Sequence, residues 1–201
     1  MKAGNLAAAQ AAVADGASVR AQGADGEEPL HDACDEGHLG IAQWLHSVGA
    51  PVDASDYEGD TPLHNACWHG HLDVAQWLHG AGASLDATSS DGGTPLHYAC
   101  YEGRLGIAQW LLSAGASLNA TDNNGQTPLH GACDSAHLDT INWLCSIGAD
   151  ATIKTNGGRR PSLLLKCCGV AGLEKQAFNS TMNALLAAER RRAEERARAA
   201  E

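Results

Sequence analysis

The chain has 201 residues, 24 of them acidic and 13 basic, for a formal net charge of −11. Its 37 alanines and 23 glycines carry almost no side chain, and aromatics are only 4%. Regular apolar content excludes global disorder. The lack of a run of about 18 apolar residues excludes a spanning helix. Few β-branched and aromatic residues argue against a sandwich or barrel. The acidic total argues against a nucleic-acid coat. So much Ala and Gly points to closely packed helices and to internal repeats.

The repeat is read from four aligned segments: Glu28-Pro-Leu-His31, Thr61-Pro-Leu-His64, Thr94-Pro-Leu-His97 and Thr127-Pro-Leu-His130, each 33 residues after the last. Cys34, Cys67, Cys100 and Cys133 keep the same step, as do Trp44, Trp77, Trp110 and Trp143, and Gly49, Gly82, Gly115 and Gly148. In chain order, residues 1–20 come first. Gly4-Asn5-Leu6 and Asp15-Gly16-Ala17 match the second half of the following unit, so this segment reads as a partial repeat or cap. It lacks a first helix, which fits either a natural single-helix cap or a truncated start. Lys2 and the Ala-rich run resemble a signal peptide, but the register explains them better.

Residues 21–153 form the array. Thr61 is placed as an N-cap with Pro62 at the first helical position, where a missing N–H costs nothing. A short helix runs to about Cys67–His69, and Gly70 ends it by accepting a left-handed backbone. A second helix covers about Leu72–His79, with Val74, Ala75 and Leu78 inward. Asp56-Tyr-Glu-Gly59 and Ser90-Asp-Gly-Gly93 are turn sequences. The unit is turn–helix–helix. Ala33, Ala66, Ala99 and Ala132 allow close helix approach, and units too small to fold alone must stack.

Residues 154–178 read as a degenerate repeat, with Gly158 and Pro161 in register but Leu163 and Lys166 where His and Cys are due. Residues 179–201 read as a charged helix or tail. Ser180-Thr181 is its expected cap, with a helix from near Met182. Met182, Leu185 and Leu186 are the residues available to dock, and Glu194 with Arg198 the available pair. The plain expectation is a frayed charged tail; a coiled coil or partner helix is the alternative.

These residues resemble the ankyrin repeat family. The resemblance rests on Gly-x-Thr-Pro-Leu-His-x-Ala, on Gly-His-Leu, and on Trp-Leu followed by Gly-Ala, and it covers roughly residues 4–170. It implies an all-α solenoid of stacked helix–turn–helix repeats with projecting β-turn hairpins. It implies protein recognition, with catalysis rare, and contact residues at hairpin tips and on the exposed face of the first helix. It also implies that His31, His64, His97 and His130 bond backbone between repeats.

The residues that break the period fall on those surfaces. Asp35, Glu36, Trp68, His69, Tyr101, Glu102 and Asp134 are expected as partner-binding residues on the first helices. Tyr57, Glu58, Asp60, Asp91 and Asn124 are expected on the hairpins. Trp68 and Tyr101 occupy equivalent positions, about one helix spacing of 10 Å apart. Aromatic anchors in a charged rim suit a protein hot spot, with cation–π contact to a partner's Lys or Arg. The plain alternative is packing against neighbouring hairpins.

Other signals look chemical without reading as chemistry. His64-x2-Cys67-x-His69-x-His71 has metal-like residue types, but the first two belong to the buried ladder and the last starts another helix, so no metal site is assigned. Ladder cysteines about 10 Å apart cannot form disulfides. Cys167-Cys168 is the exposed candidate pair. Cysteine usage fits a reducing, intracellular compartment, most simply the cytoplasm, with the nucleus as the alternative. Asn119-Ala-Thr121 and Asn179-Ser-Thr181 match a glycosylation pattern, which carries no weight without a secretory signal. No phosphate loop or nucleophile elbow is present. No catalytic residue or cofactor is assigned.

Charge is uneven along the chain. Residues 1–20 carry +1, residues 21–153 carry 18 acids against Arg104 alone, or −17, and residues 154–201 carry +5. Such a body repels phosphate backbones and favours a basic partner. The expectation is a monomeric protein-interaction module, an adaptor, scaffold or inhibitor, that binds another protein through a basic segment. Neither nucleic acid nor a membrane is expected as partner. The alternative is a regulatory or targeting fragment of a larger enzyme or multidomain protein. A structural spacer is a third reading.

Overall fold

A proline with no amide to satisfy opens each first helix, and the residue before it stays extended: Thr61 has φ −97° and ψ 163°. The computed structural model describes residues 6–167 and 175–199. Gly4 and Asn5 of the N-terminal register lie outside these residues, as do Cys168 and the side chains of Lys166 and Cys167. Among the described residues there is no strand. The helices in order are α1 (Leu6–Ala14), α2 (Pro29–Asp35), α3 (Leu39–Ser47), α4 (Pro62–His69), α5 (Leu72–Gly80), α6 (Pro95–Tyr101), α7 (Leu105–Ser113), α8 (Pro128–Asp134), α9 (Leu138–Ser146), α10 (Pro161–Cys167) and α11 (Lys175–Arg198). None of them is long and apolar enough to cross a membrane.

The helices form a solenoid. The first helices α2, α4, α6, α8 and α10 stack side by side, and each packs on the second helix of its own unit. The shared core repeats with the sequence. Leu30, Leu63, Leu96 and Leu129 are buried, and so are the ladder alanines and cysteines and Leu45, Leu78, Leu111 and Leu144. Each such leucine contributes about 2 kcal/mol by leaving water. Trp44, Trp77, Trp110 and Trp143 are half-buried against this core. His46 meets Trp77 edge-on at 5.9 Å and His79 meets Trp110 at 6.1 Å, so these rings cover the joints between units.

The ladder histidines bind each unit to the next. His64 Nδ1 accepts from the Thr61 amide at 3.1 Å and from the Thr61 hydroxyl at 3.0 Å. That fixes the tautomer, and Nε2 donates to the Gly93 carbonyl of the following hairpin at 3.2 Å. His97 donates in the same way to Gln126, His130 to Arg159 and His31 to Asp60, with the Ala54 carbonyl also 3.0 Å from the His31 Nε2. Burial pushes the His64 pKa down to about 4 and lowers those of His97 and His130. The hairpins add a second row of bonds. Tyr57, Ser90, Asn123 and Asn156 donate backbone N–H to Asp25, Glu58, Asp91 and Asn124, one unit back each time. The Asn123 and Asn156 side chains add bonds to the Ser90 and Asn123 carbonyls, and among the described residues these loops form no strand.

Gly70 closes α4 with φ +95°. At the equivalent point after α8 stands Ala136, whose φ of +57° makes it the one non-glycine with a positive φ among the described residues.

The C-terminal helix departs from expectation. α11 begins at Lys175 and runs through Ser180-Thr181, so that pair is not its cap, and the boundary expected at 178/179 falls inside one helix. Thr181 is buried and its hydroxyl accepts from Asn142 Nδ2 at 3.0 Å, a partner that outweighs capping. α11 packs on α9 and α10 and so completes the degenerate repeat as its second helix. Leu185 and Ala188 are buried there, while Leu186 stays 38% exposed. The tail is therefore docked. Arg192 donates to the Gly148 carbonyl, Arg196 pairs with Asp150 at 2.6 Å, and Arg160 stands 3.6 Å from Glu189. Arg192 pairs with Glu195, in place of the expected Glu194 with Arg198.

Candidate functional site

The concave side of the stack is a groove of about 540 Å³ between the first helices and the hairpins. Two rows of helix residues form its floor. One is Asp35, Trp68, Tyr101 and Asp134; the other includes Asn65, Tyr98 and Gly131. They lie three residues apart on helices that start in register, so each unit presents the same two positions to one side. The hairpins supply Glu27, Asp56, Glu58, Asp60, Asp91 and Asp122. Eight carboxylates thus line the groove, and its lining holds no lysine or arginine.

The aromatic residues gather at its centre. Trp68 and Tyr101 stack with centroids 5.7 Å apart and planes 21° from parallel. The rings therefore lean together well inside the helix spacing. Tyr98 meets Trp68 edge-on at 5.5 Å. Its hydroxyl donates to Asp60 Oδ1 at 2.6 Å. These rings pack mainly on one another, and Tyr101 remains 41% exposed.

Crowding of like charge leaves its mark on the carboxylates. Burial, with Asp56, Glu58 and Asp91 nearby, pushes the Asp60 pKa up to about 6 against the pull of the Tyr98 hydroxyl. Burial and the neighbouring Asp32 and Asp35 raise that of Glu27. Asp91 moves the other way, because the Ser89 hydroxyl and the Gly93 amide bond its carboxylate. Asp35 pairs with His69 Nε2 at 2.7 Å. A groove built this way concentrates carboxylates with no lysine or arginine in its lining.

Of the residues expected from sequence, Asp35, Glu58, Asp60, Trp68, His69, Asp91, Tyr101, Asn124 and Asp134 line this groove. Glu36, Tyr57 and Glu102 do not. Glu36 and Glu102 sit at the C-caps of α2 and α6. The Tyr57 ring lies over Gly26 on the hairpin row and is 68% exposed. Tyr98, Asn65, Asp56, Asp122 and Gly131 belong to the groove without having been expected there. The available signal was the row Asp32, Asn65, Tyr98 and Gly131, which breaks the period at every step.

The residues with metal-like spacing have separate partners. His64 serves the Gly93 carbonyl, His69 serves Asp35, and His71 donates to the Asp35 carbonyl at 2.9 Å. Cys67 is buried as a free thiol. Among the described residues no group of His, Cys, Asp or Glu is arranged to hold a metal ion. Arg104 stands in the His71 position of the next unit, and its Nε donates to the Trp68 carbonyl at 3.0 Å.

Two family models match the chain. One for ankyrin repeats in many copies covers residues 30–79, and one for ankyrin repeats in three copies covers residues 74–155. No curated protein matches it.

Proposed function

The chain belongs to the ankyrin repeat family, and on that premise we propose that its acidic groove binds a basic segment of another protein. Ankyrin repeats are in general protein–protein interaction modules, typically without catalysis of their own. The observation that carries the finer reading is the lining itself: eight carboxylates around three aromatic rings, with no lysine or arginine among them. A cationic segment gains Coulomb attraction along the groove and aromatic contact at its centre. In this reading the protein is a non-enzymatic monomer that acts as an adaptor, scaffold or inhibitor. Five buried cysteines outside any disulfide, among the described residues, support an intracellular setting.

The test is binding of basic and acidic peptides to the intact chain across a salt series. Basic peptides should bind, with affinity falling at least about tenfold as the screening length shrinks from roughly 14 Å to 4 Å. Replacing Asp35, Asp60 and Asp134 together by Asn should weaken binding while leaving the fold intact. Binding that ignores both salt and this triple change would overturn the proposal.

A further inference from the structure

Charge along the row of hairpins runs from acidic to basic. The hairpins repeat at 33-residue steps, so each places seven residues in register: 22–28, 55–61, 88–94, 121–127 and 154–160. Their formal charges are −3, −3, −1, −1 and +3. One position shows the change by itself: Glu27, Asp60, Gly93, Gln126 and Arg159. The first four line the groove, and Arg159 stands one step beyond its end.

The last hairpin keeps the register of the others. The Asn156 amide donates to the Asn124 carbonyl at 2.8 Å, its side chain to the Asn123 carbonyl at 2.9 Å, and His130 to the Arg159 carbonyl at 3.3 Å. None of these bonds uses a cation. Lys154 and Arg159 are exposed, and among the described residues neither has a carboxylate within ion-pair distance. Arg160 differs, since it stands 3.6 Å from Glu189. Stacking of the hairpins therefore leaves the charges of Lys154 and Arg159 unused. The second hairpin and the fifth are three steps apart, about 30 Å. That is several screening lengths of ~8 Å at physiological salt, so each end of the row acts on what lies next to it.

We propose that the groove takes a partner segment of mixed charge in one orientation: its basic residues lie against the first two hairpins, and a carboxylate about 30 Å further along meets Lys154 and Arg159. The proposal rests on the acidic-groove reading and adds to it an acidic end and an orientation. A uniformly basic segment gains at the first two hairpins and is repelled at the fifth. A segment with an acidic end gains at both.

The experiment uses two end-blocked fluorescent peptides with a stiff spacer of ten prolines, about 31 Å long. Each has four arginines at one end and either four glutamates or four glutamines at the other. They are titrated against the full chain at physiological salt. The glutamate peptide should bind about threefold more tightly, although it carries no net charge. Lys154→Gln with Arg159→Gln should remove that preference with no loss of urea midpoint, since both side chains are exposed. A nitroxide on the glutamate end should broaden the amide resonances of Gly157 and Gly158 and spare that of Gly26. A glutamine peptide that binds as well as the glutamate peptide, a preference that survives in the folded double variant, or broadening at Gly26 instead overturns the orientation and leaves the groove reading standing. Failure of both peptides to bind the unsubstituted chain overturns both.

Discussion

On the inner side of α2, α4, α6 and α8 the same residues recur at every step, while on the groove side they change from step to step. Leu63, Ala66, Cys67 and His64 have counterparts in each unit, all buried. Trp68 is matched by Asp35, Tyr101 and Asp134, and Tyr98 by Asp32, Asn65 and Gly131. The inner side meets a copy of itself, so one solution has to fit every joint. The groove side is only partly covered by its neighbours, as where Trp68 stacks on Tyr101, so the stacking demands less repetition there. Periodicity therefore marks the residues that hold the stack, and its failure marks those free to serve something else.

The largest effects should break the inner side alone. Leu63→Ala should cost about 3 kcal/mol in urea unfolding, because a fully buried side chain leaves a cavity. Trp68→Ala should cost about 1 kcal/mol yet weaken basic-peptide binding at least tenfold. Equal stability losses from the two would erase the distinction between the faces.

His64→Leu comes next, at about 2 kcal/mol, because it strands the buried Thr61 amide and removes one bond to the Gly93 carbonyl. Its pH dependence sharpens the same point. His64 has a folded pKa near 4 and an unfolded value near 6.5, so the unfolded chain binds more protons between them. Stability is lost as pH falls through that window, and His97 and His130 act in the same direction. Asp60, raised to about 6, opposes this, because its contribution is lost as pH rises. Urea midpoints between pH 7 and 4.5 should fall less steeply in His64→Leu than in the unsubstituted chain. An unchanged slope would remove the neutral imidazole from the account.

A smaller change tests a place where the period fails on the structural side. Ala136→Gly should raise stability by about 1 kcal/mol, since a left-handed backbone strains alanine and its counterparts are glycine. The smallest expected effect is at the end of the stack. Arg196→Ala should cost about 0.5 kcal/mol by releasing Asp150 from an exposed pair, and thermal melts should show it best at low salt.

Helix starts and stops are legible in the sequence because Thr-Pro and Gly act within their own turn. The acidic body and its aromatic centre are legible as well, as departures from an otherwise strict period. Tyr98 carries the same signal, since its row breaks the period, but its place beside the repeated His97 lets it pass for part of the buried motif. Its role depends on Asp60, 38 residues earlier, and on a glycine that lets its ring lie flat. The start of α11 is hidden for a related reason. Ser180-Thr181 has the chemistry of a cap, and only the meeting with Asn142 decides that Thr181 is better used inside a helix.

Among the described residues, the main contacts that join the helices run between neighbours along the stack. Under tension such a molecule is a set of links in series. Every joint carries the full load, and the weakest yields first. Each unit that lets go would pay out 33 residues, or about 110 Å of extended chain. The docked α11 then acts as a clasp at one end, with its arginines across Gly148 and Asp150 deciding whether rupture starts there or within the array.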